Sequence, residues 1–298
     1  MLDNFIKMYV LKPLEKNKLH ELFDDDAKNI IEYFIKKSVF AQPEKMIWQK
    51  ALPIQIPKEH IEQWITQALW IESKGAWSYA IDLFDSENKW WADVKMLSSK
   101  VDKEWKLTNN DSWETSLAQK FKSTWIWLDS LFLEWKYQII MDEWFWIYKA
   151  KLDEVIEKHN LKNIYYFIVL RGWDKLYLLW MEVFLENLWN CKVNEKRTSK
   201  DSVFIDNFID SELWNIKIYK AKKRMELRLK SKNWYDKNLT IEFPTELIVD
   251  EINFRDFIKN WWDIKKYSKS KLDDFLKIEN NKNNLLKKIF KKIFKNKS

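Results

Sequence analysis

The segment ESKGAWSYAIDLFDSENKWWADVK, residues 72–95, contains the pattern that decides the fold class. Residues 78–84, SYAIDLF, and residues 92–97, ADVKML, alternate in side-chain character as strands with one buried face do. The polar segment SENKWW at 86–91 lies between them and has the composition of a turn. A helix is predicted from Pro57 to about Ser73, because apolar residues recur there at helical spacing and proline suits a first helical turn. The segment therefore predicts a helix followed by an antiparallel hairpin.

Three charged side chains of this hairpin are predicted to meet on one face of the sheet. Side chains alternate between faces along a strand, so Asp93 and Lys95 share a face, and Asp82 lies opposite its apolar neighbours. A turn centred on residues 88–89 places Asp82 opposite Lys95, with Asp93 one diagonal step away. Asp85 is an alternative to Asp82 as a ligand, although it lies nearer the turn and on the other face. The alternative interpretation of the whole group is an ion cluster on an exposed sheet face.

Two carboxylates and a lysine on one face are suited to phosphodiester hydrolysis. Carboxylate oxygens bind Mg²⁺, a hard cation, and the bound metal polarises phosphate and lowers the pKa of water. Asp82 and Asp93 are the predicted metal ligands, and Glu72, at the end of the preceding helix, is a predicted third ligand. Lys95 is predicted to position the attacking water and to offset charge that develops in the transition state. The sequence therefore predicts Mg²⁺ as the cofactor.

The order of these elements and motifs resembles the PD-(D/E)xK nuclease superfamily, particularly its type II restriction endonucleases. In this comparison Asp82 matches the first motif carboxylate, and Asp93-Val94-Lys95 matches the second motif, (D/E)-x-K. Ile81 stands where the family name has proline, and the resemblance covers residues 57–170. It implies an α-β-β-β-α-β core and a supporting catalytic residue, Gln119, on a helix that follows the core strands.

The activity implied by this resemblance is Mg²⁺-dependent, site-specific cleavage of double-stranded DNA. Such an enzyme is often a homodimer, because cutting both strands of a palindrome calls for twofold symmetry. One alternative is a repair or recombination nuclease of the same superfamily, which a defined cleavage pattern would argue against. The other is a non-catalytic DNA-binding protein, which would bind DNA in a salt-sensitive way without cutting it.

The chain as a whole is predicted to be an α/β protein with a mixed α+β sheet and extra helices at both ends. Residues 1–56 are predicted to form an N-terminal helical segment. Residues 57–250 are predicted to form the nuclease core with basic strands that contact DNA. Residues 251–298 are lysine-rich and are predicted to form a basic helical C-terminal segment.

Further elements of the core are predicted from their patterns. A helix is predicted to open in ETSLAQKFKSTWIWLDSLF at 114–132, with Thr115 or Ser116 as its cap, and another helix covers 143–158. NIYYFIVL at 163–170 has the composition of a buried strand, followed by a hairpin partner. NIKIYKAKKRMELRLK at 215–230 is predicted to be one strand with a very basic stretch.

The net charge and the cysteine content indicate which binding partners and which cellular compartment the protein is expected to have. The net charge of +7 favours a polyanionic partner. The basic segments 194–202 and 220–230 either contact DNA phosphates or form solvated strand edges, where lysine hinders aggregation. The single cysteine, Cys191, excludes an internal disulfide and fits a reducing cytoplasm. No apolar run is long enough for a membrane span, so no membrane association is expected.

The chain contains 20 tryptophans and 2 glycines. A chain of this length has about 21 glycines at ordinary usage, and the sum of the two residue types is 22. Many tryptophans follow polar residues in turn-like segments such as DKEW at 102–105, where glycine is favoured because it adopts positive φ freely. Some bacterial lineages read UGA as glycine, so we hypothesise that many of these tryptophans are glycine in the native protein. Trp48 and Trp64, in helix-like contexts, are candidates for true tryptophans.

Overall fold

The computed structural model describes residues 9–50, 52, 54–73, 82–109, 114–119, 126–245, 251–259, 266–267 and 269–271. Contacts between residues divide the chain into two compact units. The larger unit comprises Met1–Lys36 and Pro53–Leu247, and the smaller comprises Lys37–Leu52 and Ile248–Ser298. All the predicted site residues belong to the larger unit. The division into segments 1–56, 57–250 and 251–298 stays a prediction.

The larger unit contains a seven-stranded mixed sheet. Its strands are β1 (Leu11–Pro13), β2 (Glu72–Ser73), β3 (Leu83–Asp85), β4 (Trp90–Ser98), β6 (Asn163–Arg171), β7 (Lys175–Val183) and β12 (Ile241–Pro244). Their order is β1-β7-β6-β4-β3-β2, and β12 also pairs with β7. Among the described strands of this sheet, β4 and β6 pair in parallel and the other pairs are antiparallel.

The described part of the chain contains seven α-helices. They are α1 (Lys16–Leu22), α2 (Asp25–Phe40), α3 (Lys58–Leu69), α4 (Ile126–Leu133), α5 (Tyr137–His159), α6 (Ser231–Asp236) and α7 (Phe254–Lys259). A parallel strand pair needs a crossover connection, and α5 immediately precedes β6 in the connection from β4. None of the helices in the described part of the chain combines the length and apolar character needed to span a membrane.

The two faces of the first sheet are buried against different helices. On one face, the ring of Phe23, which follows α1, lies 5.3 Å from Phe167 and 5.8 Å from Trp180. On the other face, Trp91 and Tyr166 share a hydrophobic core with residues of α5, among them Trp144, Tyr148 and Leu152. This second face is the one that carries the predicted catalytic side chains.

A second, five-stranded antiparallel sheet also packs against the buried side of α5, where Phe145 and Tyr148 contact Phe208. Its strands are β5 (Glu114–Gln119), β8 (Lys192–Val193), β9 (Ser202–Asp206), β10 (Trp214–Tyr219) and β11 (Arg224–Leu229). The order is β5-β11-β10-β9-β8. Its apolar side chains, for example Ile216 and Leu227, belong to the same core as α5. The two sheets and α5 therefore share one hydrophobic core.

The structure confirms a mixed fold of helices and sheets, the hairpin formed by β3 and β4, α5 and the pair β6–β7. Residues 78–81 of the predicted first strand lie outside the described residues. Two sequence predictions are wrong. Residues 114–119 form β5 rather than the start of a helix, because β11 offers them an antiparallel partner, and the described helix of this region is α4 (Ile126–Leu133). Residues 215–230 form two strands rather than one, since the chain turns back at 220–223 and pairs β10 with β11.

Three printed tryptophans lie in the left-handed backbone region that favours glycine. Trp70, Trp105 and Trp135 have φ values of 54°, 62° and 61°. Trp70 ends α3, and 91% of its surface is exposed. A bulky residue pays a steric cost in this conformation and glycine does not. These are therefore the described positions that best fit the glycine hypothesis.

Other tryptophans contribute to the core. Trp64 is buried in α3 and stacks on Phe34 at 5.7 Å, as expected for a true tryptophan. Trp48, by contrast, lies in a turn and is 73% exposed, so its predicted helical context is wrong. Trp90 and Trp91 are buried at the start of β4, which the hairpin accommodates because the turn is complete before them.

Candidate active site

The β3–β4 hairpin positions the candidate site. Its turn comprises residues 86–89, and Asp85 stabilises it. The Asp85 carboxylate accepts hydrogen bonds from the backbone N–H groups of Glu87 (2.9 Å) and Asn88 (2.8 Å) and from the Asn88 side chain (2.7 Å). The Asp85 carboxylate therefore stabilises the turn, and it lies on the face of the sheet opposite to the charged cluster. This geometry favours Asp82 over Asp85 as a metal ligand.

Asp82 directly precedes β3 and is joined to β4 by a hydrogen bond. Its Oδ2 accepts a hydrogen bond from the backbone N–H of Val94 at 2.7 Å. Leu83 pairs with Ala92, so extending the register places Asp82 opposite Asp93 rather than opposite Lys95. The predicted register is thus displaced by two residues, because the turn is centred one residue earlier than expected. A two-residue displacement keeps every side chain on its face, so the predicted convergence survives.

Asp93 is the buried centre of the cluster, with 4% of its surface exposed. Its Oδ1 forms an ion pair with Lys95 Nζ, and its Oδ2 lies 3.8 Å from Lys151 Nζ on α5. Burial raises the pKa of the Asp93 carboxyl above its usual range, whereas Lys95 and Lys151 act in the opposite direction. The carboxylate is therefore held between two cations in a poorly solvated site, where electrostatic interactions are strong.

Three residues that the sequence analysis missed complete the surroundings of Asp93. Lys151 and Tyr148 lie three residues apart on α5 and therefore share one side of that helix. Tyr166 is the partner of Asp93 in the parallel pairing of β4 and β6. Burial raises the pKa of both tyrosine hydroxyls, so both stay protonated at neutral pH. Within the described residues neither hydroxyl has a hydrogen-bond partner of good geometry.

The two supporting residues predicted from the sequence lie on other elements than expected. Glu72 is in β2, where its backbone pairs with Phe84 of β3, so it follows α3 on a strand adjacent to Asp82. Gln119 is in β5 of the second sheet, where it pairs with Arg224, and it is not on a helix. The helical residue that reaches the cluster is Lys151. The catalytic roles of Glu72 and Gln119 stay predictions.

The donor set of the cluster fits Mg²⁺. This ion is commonly held by one or two carboxylates and substrate phosphate oxygens, and it retains several waters. Asp82 and Asp93 supply two carboxylates from opposite positions of the hairpin, and the oxygens of Asp93 face the cationic side chains of Lys95 and Lys151. Within the described residues there is no group of three or more histidine, cysteine, aspartate or glutamate side chains arranged for a metal. Mg²⁺ held by Asp82 and Asp93 would take its remaining ligands from water and substrate phosphate.

Searches against protein-family models, curated proteins and solved structures found no match for this chain. The functional assignment therefore depends on the site itself.

Proposed function

We propose that this protein is a Mg²⁺-dependent DNA endonuclease that hydrolyses phosphodiester bonds of duplex DNA at specific sites, as type II restriction enzymes do. The observation that carries the proposal is the convergence of Asp82, Asp93 and Lys95 on one face of the β3–β4 hairpin. An ion pair with a purely structural role needs only Asp93 and Lys95. It does not explain the second carboxylate beside Asp93 or the second lysine, Lys151, on α5. Buried clusters of like and opposite charges are typical of functional sites.

The order of elements around the cluster supports the same proposal. α3, β2, β3, β4, α5 and β6 occur in this order along the chain, with Asp93 and Lys95 on β4 and Asp82 directly before β3. We take this order as support for the core that the PD-(D/E)xK resemblance implies, with β5 and α4 inserted between β4 and α5. A homodimer and a cytoplasmic location belong to the proposal because a site-specific double-strand cutter needs twofold symmetry and access to DNA.

In the proposed mechanism, the residues of the cluster bind the metal ion, orient the attacking water and neutralise the charge that develops on the phosphate. Asp82 and Asp93 would hold Mg²⁺, which when bound polarises the scissile phosphate and lowers the pKa of a bound water. Lys95 donates hydrogen bonds to orient the attacking water, and its charge offsets the charge that builds on the phosphate oxygens. Lys151 adds a second positive charge on the opposite side of Asp93. The buried tyrosines exclude water from the back of the site and so strengthen these interactions.

Plasmid cleavage by the full chain, with Mg²⁺ and with EDTA, tests the proposal. Discrete DNA fragments are expected only with Mg²⁺, and Lys95→Ala is expected to lower the cleavage rate by roughly 100- to 1000-fold, the effect of losing one charge-stabilising donor. Lys103→Ala, which removes an exposed lysine after β4, is the matched control and should cut normally.

The pattern of products distinguishes the alternatives. Fragments without a defined sequence at their ends would favour a repair or recombination nuclease of the same type. Salt-sensitive DNA binding by a folded chain, with no cleavage of any plasmid or linear DNA, would favour a non-catalytic DNA-binding protein and contradict the proposal.

Lys151→Met is expected to move the acidic limb of the pH–rate profile to higher pH and to lower the rate about tenfold. The pKa of Asp93 is already raised by burial, and Lys151 counteracts that rise. Without this lysine the carboxyl stays protonated to higher pH, and a protonated carboxyl binds Mg²⁺ poorly. Single-turnover rates across a pH series measure the shift. Lys149→Met, on the same helix but paired with Asp153, should leave the limb in place, and an unchanged limb in Lys151→Met would contradict this role.

A further inference from the structure

The polar side of the second sheet carries an ordered set of aromatic and basic side chains. Along β10, Trp214, Ile216 and Ile218 are buried in the core, so the intervening residues point away from α5. Lys217 on this outer side is the cross-strand neighbour of Phe204 on β9. Tyr219, two residues further along β10, is the neighbour of Arg224 on β11. We define this set, with Arg197 and Lys222, as the outer face of the second sheet.

Aromatic rings hold the cations of the outer face in place. Lys217 Nζ lies 4.0 Å from the ring centre of Tyr219 and 5.6 Å from that of Phe204. The guanidinium of Arg197 lies 4.3 Å from the ring centre of Phe204, and Lys222 Nζ lies 4.7 Å from that of Tyr219. Cation–π contacts of this kind restrict long side chains without neutralising their charge. The cations therefore lose less conformational freedom when they bind an anion.

The outer face has an excess of positive charge. Its central carboxylate, Glu226, is 3% exposed and lies 3.4 Å from Lys222. Arg197 donates a hydrogen bond to the neutral side chain of Asn215 at 2.7 Å. The Nε of Arg224 has no hydrogen-bond partner within the described residues, although it is shielded from solvent. Asp206, two residues beyond Phe204 on β9, is a second carboxylate on this side and accepts hydrogen bonds from Asn194. Among the described residues, the four cations Arg197, Lys217, Lys222 and Arg224 therefore outnumber the two carboxylates.

We propose that the outer face of the second sheet is a second DNA-binding surface, which contacts the phosphate backbone of the duplex outside the active site. The inference rests on the proposed function for the identity of the partner. The cations come from β10, β11 and the loops beside them, so they form a cluster of positive charge suited to a polyanion. Arginine forks and lysine point charges are both common phosphate ligands. The aromatic ring faces are already occupied by cations, which favours backbone contact over base stacking.

The location of the outer face separates its role from that of the active site. Asp93 lies beside Lys151 of α5, whereas the outer face is the side of the second sheet that points away from the hydrophobic core shared with α5. Its residues therefore do not touch the reacting phosphate. They contribute to the affinity and the salt dependence of DNA binding and leave the chemical step unchanged.

Fluorescence anisotropy with a labelled DNA duplex in EDTA, across a range of salt concentrations, tests this surface without cleavage. Arg197→Ala/Lys217→Ala is expected to weaken binding roughly 10- to 100-fold at low salt and to reduce the slope of log K against log salt by about 1 to 2, near 0.9 per lost phosphate contact. Arg197→Lys/Lys217→Arg keeps both charges and should retain most of the affinity. Lys18→Ala/Lys103→Ala, which removes two exposed lysines outside the second sheet, is the matched control.

Circular dichroism establishes that each variant is folded. A folded alanine double variant that binds DNA with wild-type affinity and salt slope would overturn the proposal. Binding of labelled polyglutamate but not DNA, lost in the same variant, would also overturn it in favour of an acidic protein partner. The cleavage rate at saturating DNA with Mg²⁺ is measured separately. If the wild-type chain binds DNA but never cuts it, and the alanine double variant loses this binding, the nuclease proposal is contradicted and the proposed DNA-binding surface is supported.

Discussion

Replacing Asp93 with asparagine is expected to reduce Mg²⁺-dependent DNA cleavage by roughly 1000-fold, about 4 kcal/mol in the barrier. Asparagine has the shape of aspartate but lacks the charge that holds Mg²⁺. The substitution also leaves Lys95 and Lys151 without their shared carboxylate partner. Because a negative charge close to the scissile phosphate is removed, DNA binding in EDTA should be equal to that of the wild type or tighter. The expected signature is lost chemistry with preserved binding.

Single-turnover cleavage and anisotropy on the same preparation measure both quantities for Asp93→Asn. Asp142→Asn, which neutralises an exposed carboxylate on α5, is the matched control and should cut at the wild-type rate. Cleavage by Asp93→Asn within tenfold of wild type would show that the carboxylate does not hold the metal. The remaining interpretation of the cluster would then be a structural ion pair on the hairpin.

Replacing Trp70, Trp105 and Trp135 with glycine is expected to raise the free energy of unfolding by roughly 2 to 3 kcal/mol in total. Each residue has positive φ, a conformation that costs a bulky residue about 1 kcal/mol or more and costs glycine little. The gain should be largest at Trp70, which is 91% exposed, and smaller at Trp105, whose ring stacks on Trp173 at 4.7 Å. Few tryptophan-to-glycine substitutions stabilise a protein, so the sign of the effect is diagnostic.

Urea unfolding of the printed chain and of the single and triple variants measures this effect. Trp146→Gly is the matched control, because Trp146 is 65% exposed but lies within α5, where glycine is expected to destabilise by about 1 kcal/mol or less. If Trp70→Gly lowers the free energy of unfolding as Trp146→Gly does, the prediction is contradicted. The mass of the native protein tests the underlying hypothesis, since a chain at the printed 36.7 kDa would show that the tryptophans are made as written.

The hairpin was predictable because its information is local. Alternation along ADVKML assigns Asp93 and Lys95 to one face, and a polar segment marks the turn. The exact register was not predictable from this pattern, because Asp85 accepts hydrogen bonds from the turn and thereby centres it one residue earlier. The periodicity of two nevertheless kept Asp82 on the correct face.

The errors arise where structure depends on partners distant in sequence. Residues 114–119 have helix-compatible composition, yet they complete a sheet with β11, more than 100 residues later in the chain. The turn at 220–223 likewise lies within a run of basic residues whose pattern predicts one continuous strand. Strand propensity is set largely by the neighbouring strands, so such segments are decided by tertiary pairing.

The sequence by itself determined the mixed fold class, the strands of the central hairpin and the convergence of Asp82, Asp93 and Lys95, since all of these follow from short-range periodicity. Only the tertiary structure decided which helix covers the cluster. Parallel pairing of β4 with β6 brings Tyr166 beside Asp93, and the crossover helix α5 then places Lys151 within 3.8 Å of the same carboxylate. These contacts join residues more than 50 positions apart, and their distances depend on how sheet and helix pack rather than on any local pattern.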